Sequence, residues 1–103
     1  MPAKSRNLQV VSSCASKLKV LADPTRLAVL ESLMCAPKHV GTLAQELDVE
    51  QSLLSHHLQT LREAGLVESE RDGKAVLYRL AAGTIAKSDG AAIDLGCCLL
   101  SFE

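Results

Sequence analysis

Residues 51–80 read Gln51-Ser52-Leu53-Leu54-Ser55-His56-His57-Leu58-Gln59-Thr60-Leu61-Arg62-Glu63-Ala64-Gly65, then Leu66-Val67-Glu68-Ser69-Glu70-Arg71-Asp72-Gly73-Lys74-Ala75-Val76-Leu77-Tyr78-Arg79-Leu80. In the first half, Leu54, Leu58 and Leu61 fall at i, i+4 and i+7, which predicts a helix with one apolar face. Gly65 is its expected C-terminal stop. From Leu66 the period changes to two. Val67, Ser69 and Arg71 alternate with Glu68 and Glu70, Asp72-Gly73 follows, and Val76, Tyr78 and Leu80 then alternate with Leu77 and Arg79. Two alternating runs around Asp-Gly predict a β-hairpin.

Working upstream, Val40, Leu43, Ala44 and Leu47 predict a short helix that stops near Asp48. Before it, Asp23 caps a helix whose first position is Pro24, where the missing N–H costs nothing. Leu27, Leu30, Leu33 and Met34 form its stripe, and Pro37 ends it. Val10, Cys14, Leu18 and Leu21 predict a further helix over 8–22. Downstream, 81–90 reads as a linker rich in Ala, Gly and Ser. The apolar stretch Ala91–Phe102 fits a short helix or a strand, with Gly96 arguing against a long helix. The expected organisation is a flexible basic tail at 1–7, one folded domain at 8–80, and a linker with an apolar segment at 81–103. The fold class is mainly α with a small β-hairpin, that is, α+β.

Composition agrees. A chain of 103 residues holds one core. With 48% hydrophobic residues but only 2% aromatic, that core must be aliphatic. The net charge of −1 is unevenly spread: residues 1–40 carry six Lys/Arg against two acids, and residues 41–79 carry four against seven. Any binding to an anionic polymer must come from local placement of a few basic groups, not from a bulk field. No apolar run approaches the length of a membrane span. The start Met1-Pro2-Ala3-Lys4-Ser5-Arg6 is basic but lacks the apolar core of a secretory signal. A cytoplasmic location without a membrane partner is therefore expected, with Cys14, Cys35, Cys97 and Cys98 reduced.

Two short helices joined by a tight turn and followed at once by a hairpin form the winged helix-turn-helix pattern. In the second helix the face opposite the leucines carries Gln51, Ser52, Ser55, His56 and Gln59, neutral side chains suited to reading base edges. Alone, such a face reads as an ordinary solvated one; the hairpin that follows favours DNA. The blocks Leu21-Ala22-Asp23-Pro24-Thr25-Arg26-Leu27, Val40 to Leu47, Gln51 to Val67, and Arg71-Asp72-Gly73-Lys74 ending in Tyr78 together resemble the ArsR/SmtB family of metal- and thiol-responsive repressors. The resemblance implies a homodimer on an inverted-repeat operator in double-stranded DNA, released by a ligand. It further implies that Gln51, Ser52, Ser55 and His56 face DNA with Arg71 and Lys74 on the wing, Thr42 and Gln59 completing the set. His57 flanks the leucine stripe and reads as a packing residue. Arg26 suits either a phosphate or an intramolecular ion pair.

The family places its sensing ligands at several different positions, and this chain lacks some of them. The segment Glu46-Leu47-Asp48-Val49-Glu50-Gln51 holds no Cys, and no His follows His57, so two of the family's metal sites are absent. Cys97 and Cys98 resemble the paired cysteines that some members use for arsenite, a soft centre that takes three thiolates. The third would be Cys14 or Cys35, with Cys14 favoured because the first helix and C-terminal segment meet at the family's dimer interface. Oxidation of the same thiols is the rival sensing chemistry. A regulator without a ligand, its cysteines serving as packing, is a third reading. A thiol oxidoreductase is disfavoured, since neither Cys-x-x-Cys nor a Cys–His pair occurs. No obligatory cofactor is implied; arsenite or a soft metal ion would act only as inducer.

Overall fold

The computed structural model describes residues 4–84 and 92–102. Helices α1 (Lys4–Leu21), α2 (Pro24–Cys35), α3 (Val40–Leu47) and α4 (Gln51–Glu63) are joined by a small antiparallel sheet that packs on α2, α3 and α4. That sheet holds β1 (Lys38–His39), β2 (Val67–Asp72) and β3 (Ala75–Leu80) in the order β1-β3-β2. A separate pair, β4 (Ala92–Asp94) and β5 (Leu99–Ser101), lies near the C-terminus.

The helix boundaries follow from local chemistry. Asp23 is extended, and its Oδ1 accepts from the Arg26 N–H at 3.1 Å, capping α2 ahead of Pro24. That bond holds the Asp23 carboxyl below its ordinary pKa. Pro37 forces the preceding Ala36 out of the helical region, so α2 stops at Cys35. The turn between α3 and α4 is made by Asp48 in the left-handed region (φ +56°), a conformation Asp tolerates, and its N–H reaches back to the Ala44 and Gln45 carbonyls. Glu50 caps α4 by accepting from the Leu53 N–H. Gly65, at φ +78°, provides the left-handed residue after α4 while the Leu66 N–H returns to the Leu61 carbonyl.

Leu30, Leu43, Leu54, Leu58 and Leu61 are fully enclosed, joined by Val29, Leu66 and Val67. The interior is aliphatic, as the composition requires.

Several expectations need correction. The helix expected at 8–22 begins at Lys4, inside the stretch read as a tail; beyond Pro2 nothing breaks a helix, and Lys, Arg, Leu and Gln favour one. The stripe assigned to it also splits. Cys14, Val20 and Leu21 turn inward, whereas Leu8, Val11 and Leu18 are 65%, 57% and 46% exposed on another face. The side chain of Val10 and the linker residues 85–90 lie outside the described residues. The apolar stretch after the linker is two strands: β4 ends at Asp94, whose Oδ1 accepts from the Gly96 N–H, and the Leu95 N–H meets the Cys98 carbonyl. The hairpin loop is Gly73-Lys74, not Asp72-Gly73, because Asp72 pairs with Ala75. Gly73 has φ +67° and Lys74 an ordinary φ, the sign pattern of a type II′ turn. Lys74 thereby occupies the tip.

Candidate nucleic-acid interface and cysteine cluster

Strand β1 joins the hairpin to the helices: Lys38 pairs with Tyr78 and His39 with Leu77. Lys38 Nζ donates to Glu46 Oε1 (2.9 Å) and Ser32 Oγ (2.8 Å), tying β1 to α2 and to the last turn of α3. The Lys38 bond, with a smaller contribution from Ser32, holds the Glu46 carboxyl below its ordinary pKa. His39 Nε2 lies 2.8 Å from Asp72 Oδ2 across the sheet. The outcome is an open groove of about 1050 Å³ between α3, the first turn of α4 and the hairpin tip.

Thr42, Gln51 and Lys74 line this groove together. Ser52, Ser55, His56 and Gln59 are exposed along α4, and Arg71 is exposed on β2. Two of these side chains are already engaged. Ser52 Oγ donates to the Glu50 carboxylate at 2.7 Å, and Gln59 Nε2 to Glu63 Oε2 at 3.2 Å. Among the described residues no side-chain hydrogen bond occupies Ser55 or His56. Leu54, Leu58 and Leu61 are buried on the opposite side, as the spacing predicts. His57 is half-buried, and its Nδ1 lies 3.3 Å from Arg26 Nη1. Arg26 Nε also donates to the Val20 carbonyl at 2.7 Å, so its guanidinium ties the end of α1 to α4 and forms no ion pair among the described residues.

At the far end, α1 meets the loop between β4 and β5. Cys14 is bonded to Cys97 through a disulfide, with Cα atoms 6.1 Å apart and a sequence separation of 83. Cys98 Sγ lies 3.9 Å from Cys97 Sγ, and the three sulfurs fall within 4.8 Å of one another. Cys14 of the same chain is thus the thiol that meets Cys97 and Cys98; Cys35, exposed at the end of α2, stands apart. The expectation of four reduced thiols does not hold for Cys14 and Cys97, whose closeness across so long a separation no local pattern signals. Lys17, one turn after Cys14, donates from Nζ to the Leu95 carbonyl at 3.2 Å and helps seat the loop on α1.

The model of the bacterial regulatory proteins of the arsR family matches residues 23–69, from the Asp23 cap through the first half of the hairpin. The regulator NmtR of Mycobacterium tuberculosis is 39% identical over 77% of this chain, which spans 66% of NmtR. The nodulation protein NolR of Rhizobium meliloti is 34% identical over 91% of this chain and 75% of its own length. The chain belongs to the arsR family. A homodimeric winged helix-turn-helix DNA-binding domain from Mycobacterium bovis superimposes with a TM-score of 0.64 at 30% identity, covering 80% of this chain and 73% of that one.

This arsR-family chain accordingly has the winged helix-turn-helix fold of a family of bacterial regulatory proteins. The matched stretch contains the α3 and α4 walls of the groove, Thr42 and the exposed face of α4; the hairpin tip with Lys74 and the cysteine cluster lie outside it. Sequence reasoning missed His39, Lys38 and Glu46, which position α3. A two-residue strand has no period to detect. No helix is long and apolar enough to cross a membrane among the described residues.

Proposed function

We propose that this chain is a cytoplasmic repressor that binds an inverted-repeat operator as a homodimer and leaves it when a thiol-reactive inducer engages Cys14, Cys97 and Cys98. Residues 8–80 serve as the DNA-binding domain and 81–103 as the sensing segment. Gln51, Ser52, Ser55, His56 and Gln59 read base edges from α4; Thr42, Arg71 and Lys74 hold the phosphate backbone. The exposed apolar face Leu8, Val11 and Leu18, together with exposed Leu99 on β5, supports dimerisation through α1 and the C-terminal strands. Both cores of such a dimer would place the cysteines near the seam between copies.

The observation that carries the reading is the meeting of three sulfurs within 4.8 Å. An all-sulfur donor set suits a soft three-coordinate centre such as arsenite, which Cys14, Cys97 and Cys98 would hold as thiolates. That requires the Cys14–Cys97 bond to be reduced first. The bond itself supports a second reading, in which an oxidant removes two electrons and two protons from Cys14 and Cys97 and the resulting crosslink is the signal. Either event lies away from the groove, so it acts by shifting α1 and with it the spacing of the two recognition helices. Such couplings are typically about 1–3 kcal/mol.

A mobility shift on an operator fragment separates the readings. The reduced protein is expected to bind and to be released by stoichiometric arsenite. Release by peroxide with indifference to arsenite selects the redox reading, and indifference to both removes the sensing role.

A further inference from the structure

His39 and Asp72 stand on opposite edge strands of the three-stranded sheet, with β3 between them, yet their side chains meet. The register explains how. His39 pairs with Leu77 and Asp72 with Ala75, so the two lean toward each other over β3 near Ala75, whose side chain is only a methyl. His39 Nε2 and Asp72 Oδ2 are 2.8 Å apart. This contact spans the whole width of the sheet immediately before the Gly73-Lys74 tip. His39 is also the residue that precedes α3, the helix carrying Thr42. One side-chain pair therefore joins the tip of the hairpin to the beginning of the helix-turn-helix.

The position is odd for an acid. Asp72 is exposed beside the expected phosphate-facing tip, where an unpaired carboxylate would repel DNA. Both partners are substantially exposed, so the pair contributes little to folding stability. Its value must lie elsewhere. The tip is a two-stranded ribbon, and two-stranded ribbons twist more than wider sheets. With Thr42, Gln51 and Lys74 lining one groove, the separation of Lys74 from the other two depends on that twist.

We infer that His39 and Asp72 form a clasp that positions the wing for DNA, His39 acting through Asp72 and Asp72 through Lys74. Both are positioning residues: neither needs to touch the operator. This rests on the groove being the DNA-binding surface and is independent of how the cysteines act.

The test measures operator affinity by fluorescence anisotropy for His39→Ala, Asp72→Ala, the double variant and His39→Gln, each alongside its melting temperature. Asp72→Ala is the decisive variant, because it removes a negative charge from a DNA-facing surface. The clasp predicts that it nevertheless weakens binding, by about fivefold, as does His39→Ala, with the double variant no weaker than either. Melting temperatures should stay at the parental value. His39→Gln, whose amide reaches the position of Nε2, should recover most of the affinity, a rescue that general destabilisation would not give. Lys74→Ala should weaken binding in the parent and have no further effect once His39 is Ala. Tighter binding by Asp72→Ala, additive losses in the double variant, or a His39→Gln protein as weak as His39→Ala would each overturn the proposal. If no variant, including Ser55→Ala with His56→Ala, alters binding, the groove itself is not the DNA surface, which is a different failure.

Discussion

Between Asp23 and Leu80 the molecule is held by aliphatic side chains, with Leu30, Leu43, Leu54, Leu58 and Leu61 fully enclosed. The layer formed by α1 with β4 and β5 rests on fewer apolar anchors, chiefly Leu21, Ile93 and Leu95. It adds the Lys17 bond to the Leu95 carbonyl and the link between Cys14 and Cys97. The first region holds a single thiol, Cys35, exposed at the end of α2 and apart from the other sulfurs. In the second, one attachment is a bond that reduction removes. A DNA reader joined to a layer whose attachment is chemically adjustable is the arrangement a switch requires, and under the proposed function that layer is where the signal would enter.

The comparison breaks most visibly at Leu58. Leu58→Ala leaves a cavity in the centre of the reader and should cost about 2–5 kcal/mol in denaturant unfolding. A loss below about 1 kcal/mol would mean that the core is not shared as described. Reduction of the Cys14–Cys97 bond should have a smaller and more local effect. Opening an 83-residue loop has a chain-entropy ceiling of about 4–5 kcal/mol. Hydrogen exchange should then accelerate in α1 and residues 92–102 while α4 stays protected; equal acceleration in α4 would abolish the distinction between the layers.

Two finer tests stay within the reader. Ser55→Ala with His56→Ala should weaken specific operator binding by about 1–3 kcal/mol per lost base contact and leave the melting temperature unchanged. Unaltered affinity would mean that α4 is wrongly oriented. Asp23→Ala should cost about 1 kcal/mol through loss of the α2 cap. Because the folded-state pKa of Asp23 is depressed, the cap's contribution is present above the ordinary aspartate pKa and fades as pH falls through the lowered value. Parent and variant should therefore converge in stability under acid. A gap that persists there would assign the effect to something other than the charged cap.

What the sequence made legible was whatever has a short repeat or a local rule. The α4 face, the Asp23 cap, the left-handed Gly65 and the hairpin all follow from neighbours within a few residues. The burial of the α1 faces, the role of His39 and the meeting of the cysteines depend on partners far along the chain, whereas the start of α1 and the hairpin loop are local misreadings. Leu18 was grouped with Cys14 because helical spacing counts apolar residues and does not distinguish a face buried within one chain from a second face turned outward. Asp72-Gly73 matches a favoured hairpin dipeptide, but the pairing of Asp72 with Ala75 moves the loop one residue on. His39 has no local signal at all, since its partner is 33 residues away. Cys14 and Cys35 were both open as companions of the pair in the sequence; the loop between β4 and β5 folds back on α1 and brings Cys14, not Cys35, beside Cys97 and Cys98.

The central claim is that the cysteine cluster commands the reader without belonging to it. The direct measurement is operator affinity of the Cys97→Ser, Cys98→Ser protein, by anisotropy, before and after addition of arsenite and, separately, of peroxide. The account predicts that this variant binds as tightly as the reduced parent and that neither reagent changes its affinity, while the parent is released by at least one of them. Release of the variant to the parental extent would contradict the account, placing the sensor at Cys14 or Cys35 and leaving the pair near the C-terminus as packing.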